Sequence, residues 1–167
     1  MAFTGHRSAD SKGRSTKELE ATRSIISAQL ERSGASTLYS SVAEGADTIA
    51  CEEALKLGLA LKLFLPLPIS DFKNDFADRL KAWPVSEKLI QLAQKDPKHS
   101  LTILNGERPD CYAAVNKHLL SGADALLAVT TDSPQKTGGA SEMLGLAQNR
   151  NIPCTVINPL TQQVTKI

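Results

Sequence analysis

The chemistry-bearing residues of this 167-residue chain gather in three short stretches. They are Thr4-Gly5-His6-Arg7, Glu44-Gly45-Ala46-Asp47 and Thr137-Gly138-Gly139-Ala140-Ser141-Glu142. Each sets glycine beside polar side chains. Glycine lets the chain turn tightly and lets a ligand approach the backbone. Unpaired N–H groups at a helix start attract anions. Arg7 offers a planar fork suited to phosphate, and Thr4 offers a hydroxyl. His6 either meets a ligand or bonds to nearby backbone. Gly138 and Gly139 place backbone donors where a helix opens. Ala140 leaves room there, and Ser141 can bond a phosphate. Glu44 and Asp47 suit ribose hydroxyls better than phosphate. Asp47 and Glu142 also suit a helix start with no ligand role.

These stretches must be positioned by the elements around them. Residues 2–4 read as a very short first strand. Ser15 and Glu18 have capping-box spacing before a helix running to about Arg32, with Leu19, the stem of Arg23, Ile26 and Leu30 on its inner face. Strands follow at 36–41 and 60–67. Between them lies a helix striped by Ala46, Ile49, Ala50, Ala54 and Leu57 and stopped at Gly58. Residues 86–95 read as a helix with Ser86 as N-cap, and 100–104 as a short edge strand. A helix over 109–122, a wholly apolar strand over 124–130, a helix over 139–150 and a last strand over 153–158 complete the chain. Met143, Leu146 and Ala147 mark the inner face of that last helix. Apolar strands alternating with amphipathic helices predict an α/β, Rossmann-like fold. Its sheet would be mainly parallel, with helices on both faces. Ligands in such sheets bind at the carboxyl ends of the strands, where strand order reverses. The three glycine stretches all fall at such ends.

Composition narrows the function. Hydrophobic residues make 41% and charged residues 22%, which suits one soluble domain. A net charge of +1 and 4% aromatics disfavour a nucleic-acid partner. Cys51, Cys111 and Cys154 have no metal-ligand spacing, so they read as reduced, mostly buried residues of a cytoplasmic protein. No metal or other cofactor is implied. The longest apolar run is interrupted by Lys62, Pro66 and Pro68, and there is no signal-peptide pattern, so no membrane association is expected. Gly13-Arg14-Ser15-Thr16 imitates the end of a phosphate-binding P-loop. The required first glycine is Ser8 and the lysine is Arg14, so that reading fails.

Segments 3–7, 41–59, 65–76, 108–112, 122–129 and 137–159 together resemble the SLOG superfamily. This Rossmann-like group joins the DNA-processing protein DprA/Smf to the Lonely Guy proteins. The resemblance is to its YpsA-like branch and to the SLOG domains of bacterial anti-phage systems. It implies that the glycine loops bind a nucleotide or an ADP-ribose-like signal. Arg108 and Tyr112 match a recurring R-x-x-x-Y, which implies phosphate and base or ribose contacts. Phe72 and Phe76 match a family lip as core residues, with Asp71 and Asp75 as caps. Lonely Guy enzymes cleave N-glycosidic bonds, and nucleoside deoxyribosyltransferases use a glutamate. The resemblance therefore implies a catalytic Glu142 if the protein is an enzyme. The loop Thr137–Glu142 is shorter than the hydrolase motif and lacks its proline. The resemblance further implies a homodimer or higher oligomer. It also implies a first strand beginning before Met1, cropped here or with its start misassigned. The expectation is a nucleotide-sensing module, with glycosidic cleavage as the alternative.

Overall fold

The structure, a computed structural model, describes residues 1–5, 16–131 and 139–167, and of residues 16 and 17 the backbone alone. Its strands are β1 (Ala2–Gly5), β2 (Thr37–Ser40), β3 (Ala60–Leu65), β4 (Ser100–Ile103), β5 (Leu126–Val129), β6 (Cys154–Ile157) and β7 (Val164–Lys166). Its helices are α1 (Thr16–Ser33), α2 (Ala46–Lys56), α3 (Ile69–Lys73), α4 (Trp83–Lys95), α5 (Cys111–Ser121) and α6 (Gly139–Asn149). The described strands form one sheet in the order β4-β3-β2-β1-β5-β6-β7. All pairings are parallel except β6 with β7. Strand order reverses at β1 and β5, which lie side by side from Ala2↔Leu126 to Gly5↔Val129.

The period-two alternation of strands explains the two-sided core. Phe3, Leu127, Val129 and Ile157 point to one face and pack with Ile26 and Leu30 of α1, Ala50 of α2 and Ile90 of α4. Ala2, Leu126, Ala128 and Cys154 point to the other and pack with Leu119 of α5 and Met143 of α6. Burial on both faces is why these strands are apolar throughout.

Gly5 has a packing role beyond the turn expected of it. A Cβ there would lie 2.4 Å from the Cβ of Ala46 and 3.4 Å from that of Val129. The missing side chain admits α2 against β1; the tight turn expected after Gly5 lies outside the described residues.

Three further readings change. Ser86 does not cap α4. That helix starts earlier, at Trp83 with a proline in its first turn, where the ring's fixed φ suits a helix and no N–H is missed. Ser86 is fully buried and donates to the carbonyl of Val42 at 3.0 Å. On α6, Leu144 is buried beside Met143 and Ala147, while Leu146 is only half-buried. The strand at 154–157 is not the last: β7 returns antiparallel along it. Its three exposed residues carry no hydrophobic period that would mark a strand. The edge position of β4 agrees with expectation. All three cysteines are free and buried, and burial pushes the Cys51 thiol up to about 12. The Ser15 cap and the segment Gly13–Ser15 lie outside the described residues. Among the described residues, no helix is long and apolar enough to cross a membrane.

A charged lock joins α1 to α2. Arg23 donates to Glu53 Oε1 at 2.7 Å and to Glu52 Oε2 at 2.9 Å, and Lys56 donates to the same Glu53 oxygen at 2.7 Å. Burial alone pushes the Glu53 carboxyl up. The hydrogen bonds from Lys56 and Arg23 together outweigh it and hold the carboxyl below its usual 4.5. A carboxyl so depressed stabilises the fold above its unfolded pKa, and that contribution is lost as pH falls through the folded one.

Two measurements follow from this packing. Gly5→Ala is expected to cost about 1–3 kcal/mol in chemical denaturation, and Ala46→Gly in the same chain should recover part of the loss. Glu53→Gln is expected to cost about 1 kcal/mol at neutral pH. The gap to wild type should narrow in unfolding curves as pH falls below 4.5, the usual carboxyl value, and through the lower folded one.

Candidate functional site

The site is built at the carboxyl ends of β1, β2 and β5. Thr4 and Gly5 end β1, and Thr4 is buried with only 7% exposed. On one side, α2 packs on β1 with its first residue, Ala46, above Gly5. On the other, α6 packs on β1 and β5. Two helix N-termini therefore flank the end of β1. α2 follows Gly45 at φ 99°, and α6 opens on Gly139 at φ 60°. A side chain would have open space at Gly139, so it is the backbone angle that demands glycine there. Gly45 supplies no side-chain cap to α2. In the first turn of α6, Ala140 and Ser141 are buried and Glu142 is half-buried. His6, Arg7, Thr137 and Gly138 lie outside the described residues, as do Lys12 and Arg14.

The loop between β2 and α2 is held rigidly. Val42, fully buried, sits at φ 51°, an angle a β-branched residue rarely adopts. Its N–H donates to Ser40 Oγ at 3.1 Å, and its carbonyl accepts from Ser86 Oγ at 3.0 Å. Such strain persists only where neighbours over-determine it, and here two buried serines do so. Asp47, buried in the first turn of α2, accepts from the hydroxyls of Ser41 and Ser40. It thus ties the helix start to the end of β2.

Glu44 corrects an expectation. The sequence reads it as an acceptor for ribose hydroxyls. In the fold it is 5% exposed, and its carboxylate accepts the backbone N–H of Ala77 at 2.7 Å and of Asp78 at 3.4 Å. It braces the segment after α3 from below. A charged acceptor on two amides is among the stronger hydrogen-bond arrangements.

Asp75 also differs from its expected cap role. Its two carboxylate oxygens accept from Arg108 and from the hydroxyl of Tyr112. Arg108 and Tyr112 therefore come together as expected, but around an acid of this chain. The Arg108 guanidinium, hydrogen-bonded to Asp75, is held above its usual range and stays about half exposed. Phe72 and Phe76 are core residues, packed edge-on with Trp83.

One site residue escaped the sequence reading. Asn116 of α5, 7% exposed, donates from Nδ2 to the carbonyl of Gly139 at 3.3 Å. It pins the start of α6. Tyr112 lies one turn earlier on the same face of α5, so α5 links the Arg108 cluster to the α6 turn. A lone asparagine within the apolar stripe Cys111, Val115, Leu119 was the available signal.

Glu44→Ala is expected to cost about 1–3 kcal/mol. Amide hydrogen exchange should accelerate at Ala77 and Asp78 while that of β1 and β5 stays slow.

No family model matches the chain, and no curated protein does. Among solved structures, the chain is similar to the X-ray structure of DNA processing protein A (DprA) from Streptococcus pneumoniae. The TM-score is 0.58 at 15% identity, over 94% of this chain and 49% of that one. The chain thus spans about half the length of that protein. At this identity the likeness concerns the fold alone: a mainly parallel, Rossmann-like α/β fold shared with DprA.

Proposed function

We propose that the crevice at the carboxyl ends of β1 and β5 binds a nucleotide or nucleotide-derived ligand of the ADP-ribose type, as a signal sensor. One observation carries this reading. The N-termini of α2 and α6 flank the end of the central strand, α2 behind Gly45 and α6 opening on Gly139, both at positive φ. N–H groups at a helix start and the helix dipole both favour phosphate. In this reading Ser141, Gly138, Gly139 and Arg7 serve the phosphate, with Thr4, Gly5 and His6 as further ligand contacts. Asp47 and Gly45 line the α2 side. Arg108 and Tyr112 contribute from the start of α5. Glu44 acts through the loop that it braces. The YpsA-like and anti-phage branch of the SLOG group is the setting to which this sensor reading belongs.

A second reading is favoured by the half-buried position of Glu142 in the first turn of α6. There it can face a ribose C1′. In glycosidic cleavage the C1′–N bond breaks, the electron pair leaves with the base, and Glu142 stabilises or attacks the cationic carbon before water completes the reaction.

The test is mass spectrometry of a nucleotide pool, with NAD-derived cyclic species included, after incubation with the protein and filtration. The sensor reading expects one species retained unchanged, with retention weakened at least about tenfold by Arg7→Ala. Free base released by wild type and not by Glu142→Gln would instead establish cleavage. No retention and no release would overturn both.

A further inference from the structure

We infer that Asp75 is an internal stand-in for the phosphate of the proposed nucleotide ligand, a reading on which this one rests, and that the ligand takes Arg108 and Tyr112 by displacing it. Those two residues sit just before and in the first turn of α5, yet both donate to this chain's own carboxylate: Arg108 to Oδ1 and the Tyr112 hydroxyl to Oδ2. The same grip suits a phosphate, which also offers two acceptor oxygens to a guanidinium and a hydroxyl. The Asp75 side chain is 12% exposed and that of Arg108 is 53% exposed. An anion arriving from solvent therefore meets the guanidinium and competes with Asp75 for it.

The bridge also holds a strap. β3 and β4 run parallel to β1, so the segments that follow them lie at the same end of the sheet as the crevice. Residues 74–82, between α3 and α4, are tied there at two points. Asp75 ties them to α5, which packs on the face of Ala2 and Leu126. Glu44 ties them, through the N–H groups of Ala77 and Asp78, to the loop before α2, which packs on the face of Phe3 and Leu127. The strap thus joins the two faces of the sheet, and one of these two ties is the bridge that the ligand breaks. Trp83, the single tryptophan of the chain, stands at its end. Its ring meets that of Phe76 edge-on at 5.2 Å and Lys73 Nζ at 5.7 Å, and its buried Nε1 has no hydrogen-bond partner among the described residues. A buried unpaired donor is a cost, and it is relieved once the strap moves far enough for water to reach the indole. An internal competitor lowers apparent affinity by the fraction of molecules whose site is free, and it makes binding and strap release one event.

The experiment is isothermal titration of ADP-ribose, and separately of inorganic pyrophosphate, into wild type, Asp75→Asn and Asp75→Ser. Removing an internal competitor should tighten binding of at least one probe by about tenfold or more in both variants. Without any probe, amides 74–82 of both variants should exchange faster than in wild type, and Trp83 emission should move to longer wavelength as water reaches the indole. Wild type should show the same two changes when a probe is added. Binding by the variants that only equals or falls below that of wild type would make Asp75 an orienter of Arg108 and overturn the inference, while the nucleotide reading would stand. A wild-type strap whose exchange a bound probe leaves unmoved would overturn it too, and that arm needs no variant to fold. Failure of both probes to bind any of the three proteins would overturn this inference and the nucleotide reading together.

Discussion

A Cβ at Gly5 would lie 2.4 Å from that of Ala46, so α2 meets β1 with no room for one more carbon. The rest of the architecture hangs on that contact. β1 has four residues, lies in the middle of the sheet and pairs on both sides. It must accept a helix on each face while feeding a loop at its carboxyl end. With two small residues at the crossing, α2 begins almost on the strand itself. Its N-terminus then opens beside the point where strand order turns from β2 to β5. A larger residue at either place would move the helix start away from the crevice and leave Phe3 and Val129 underpacked.

Around that crevice the chain uses buried polar groups mostly as braces. Ser40 and Ser86 hold Val42 in a backbone angle it would not choose alone. Glu44 supports the segment after α3, and Asn116 supports the first residue of α6. Asp75 gathers Arg108 and Tyr112. A buried polar atom left unpaired costs more than a formed hydrogen bond contributes. Each brace therefore penalises alternative loop conformations more than it stabilises the native one. The result is a set of braced segments at the carboxyl ends of the strands.

Much of the fold was legible from periodicity. Apolar runs such as 126–129 and helical stripes such as Ile26 and Leu30 are properties of local sequence, and so are glycine stops. The misreadings share a cause. Ser86 has the residue type of a cap, yet a distant carbonyl at Val42 takes its hydroxyl. Glu44 has the type of a ribose acceptor, yet two amides 33 and 34 residues away take its oxygens. Asp75 resembles a cap and pairs across 33 and 37 residues. In each case the partner is remote in sequence, and side-chain type says only that some partner is needed. β7 was missed because its pairing with β6, not its own pattern, makes it a strand.

The sequence by itself determined the class of fold, the order of its elements and the glycine-marked helix starts, because backbone angles and hydrophobic period are local constraints. Only the tertiary structure decided which polar groups face one another. It showed Gly5 to be a packing glycine and turned Glu44 into a brace. Those outcomes depend on which helix lands on which strand, and the distances that decide them are fixed only when the whole sheet closes around β1.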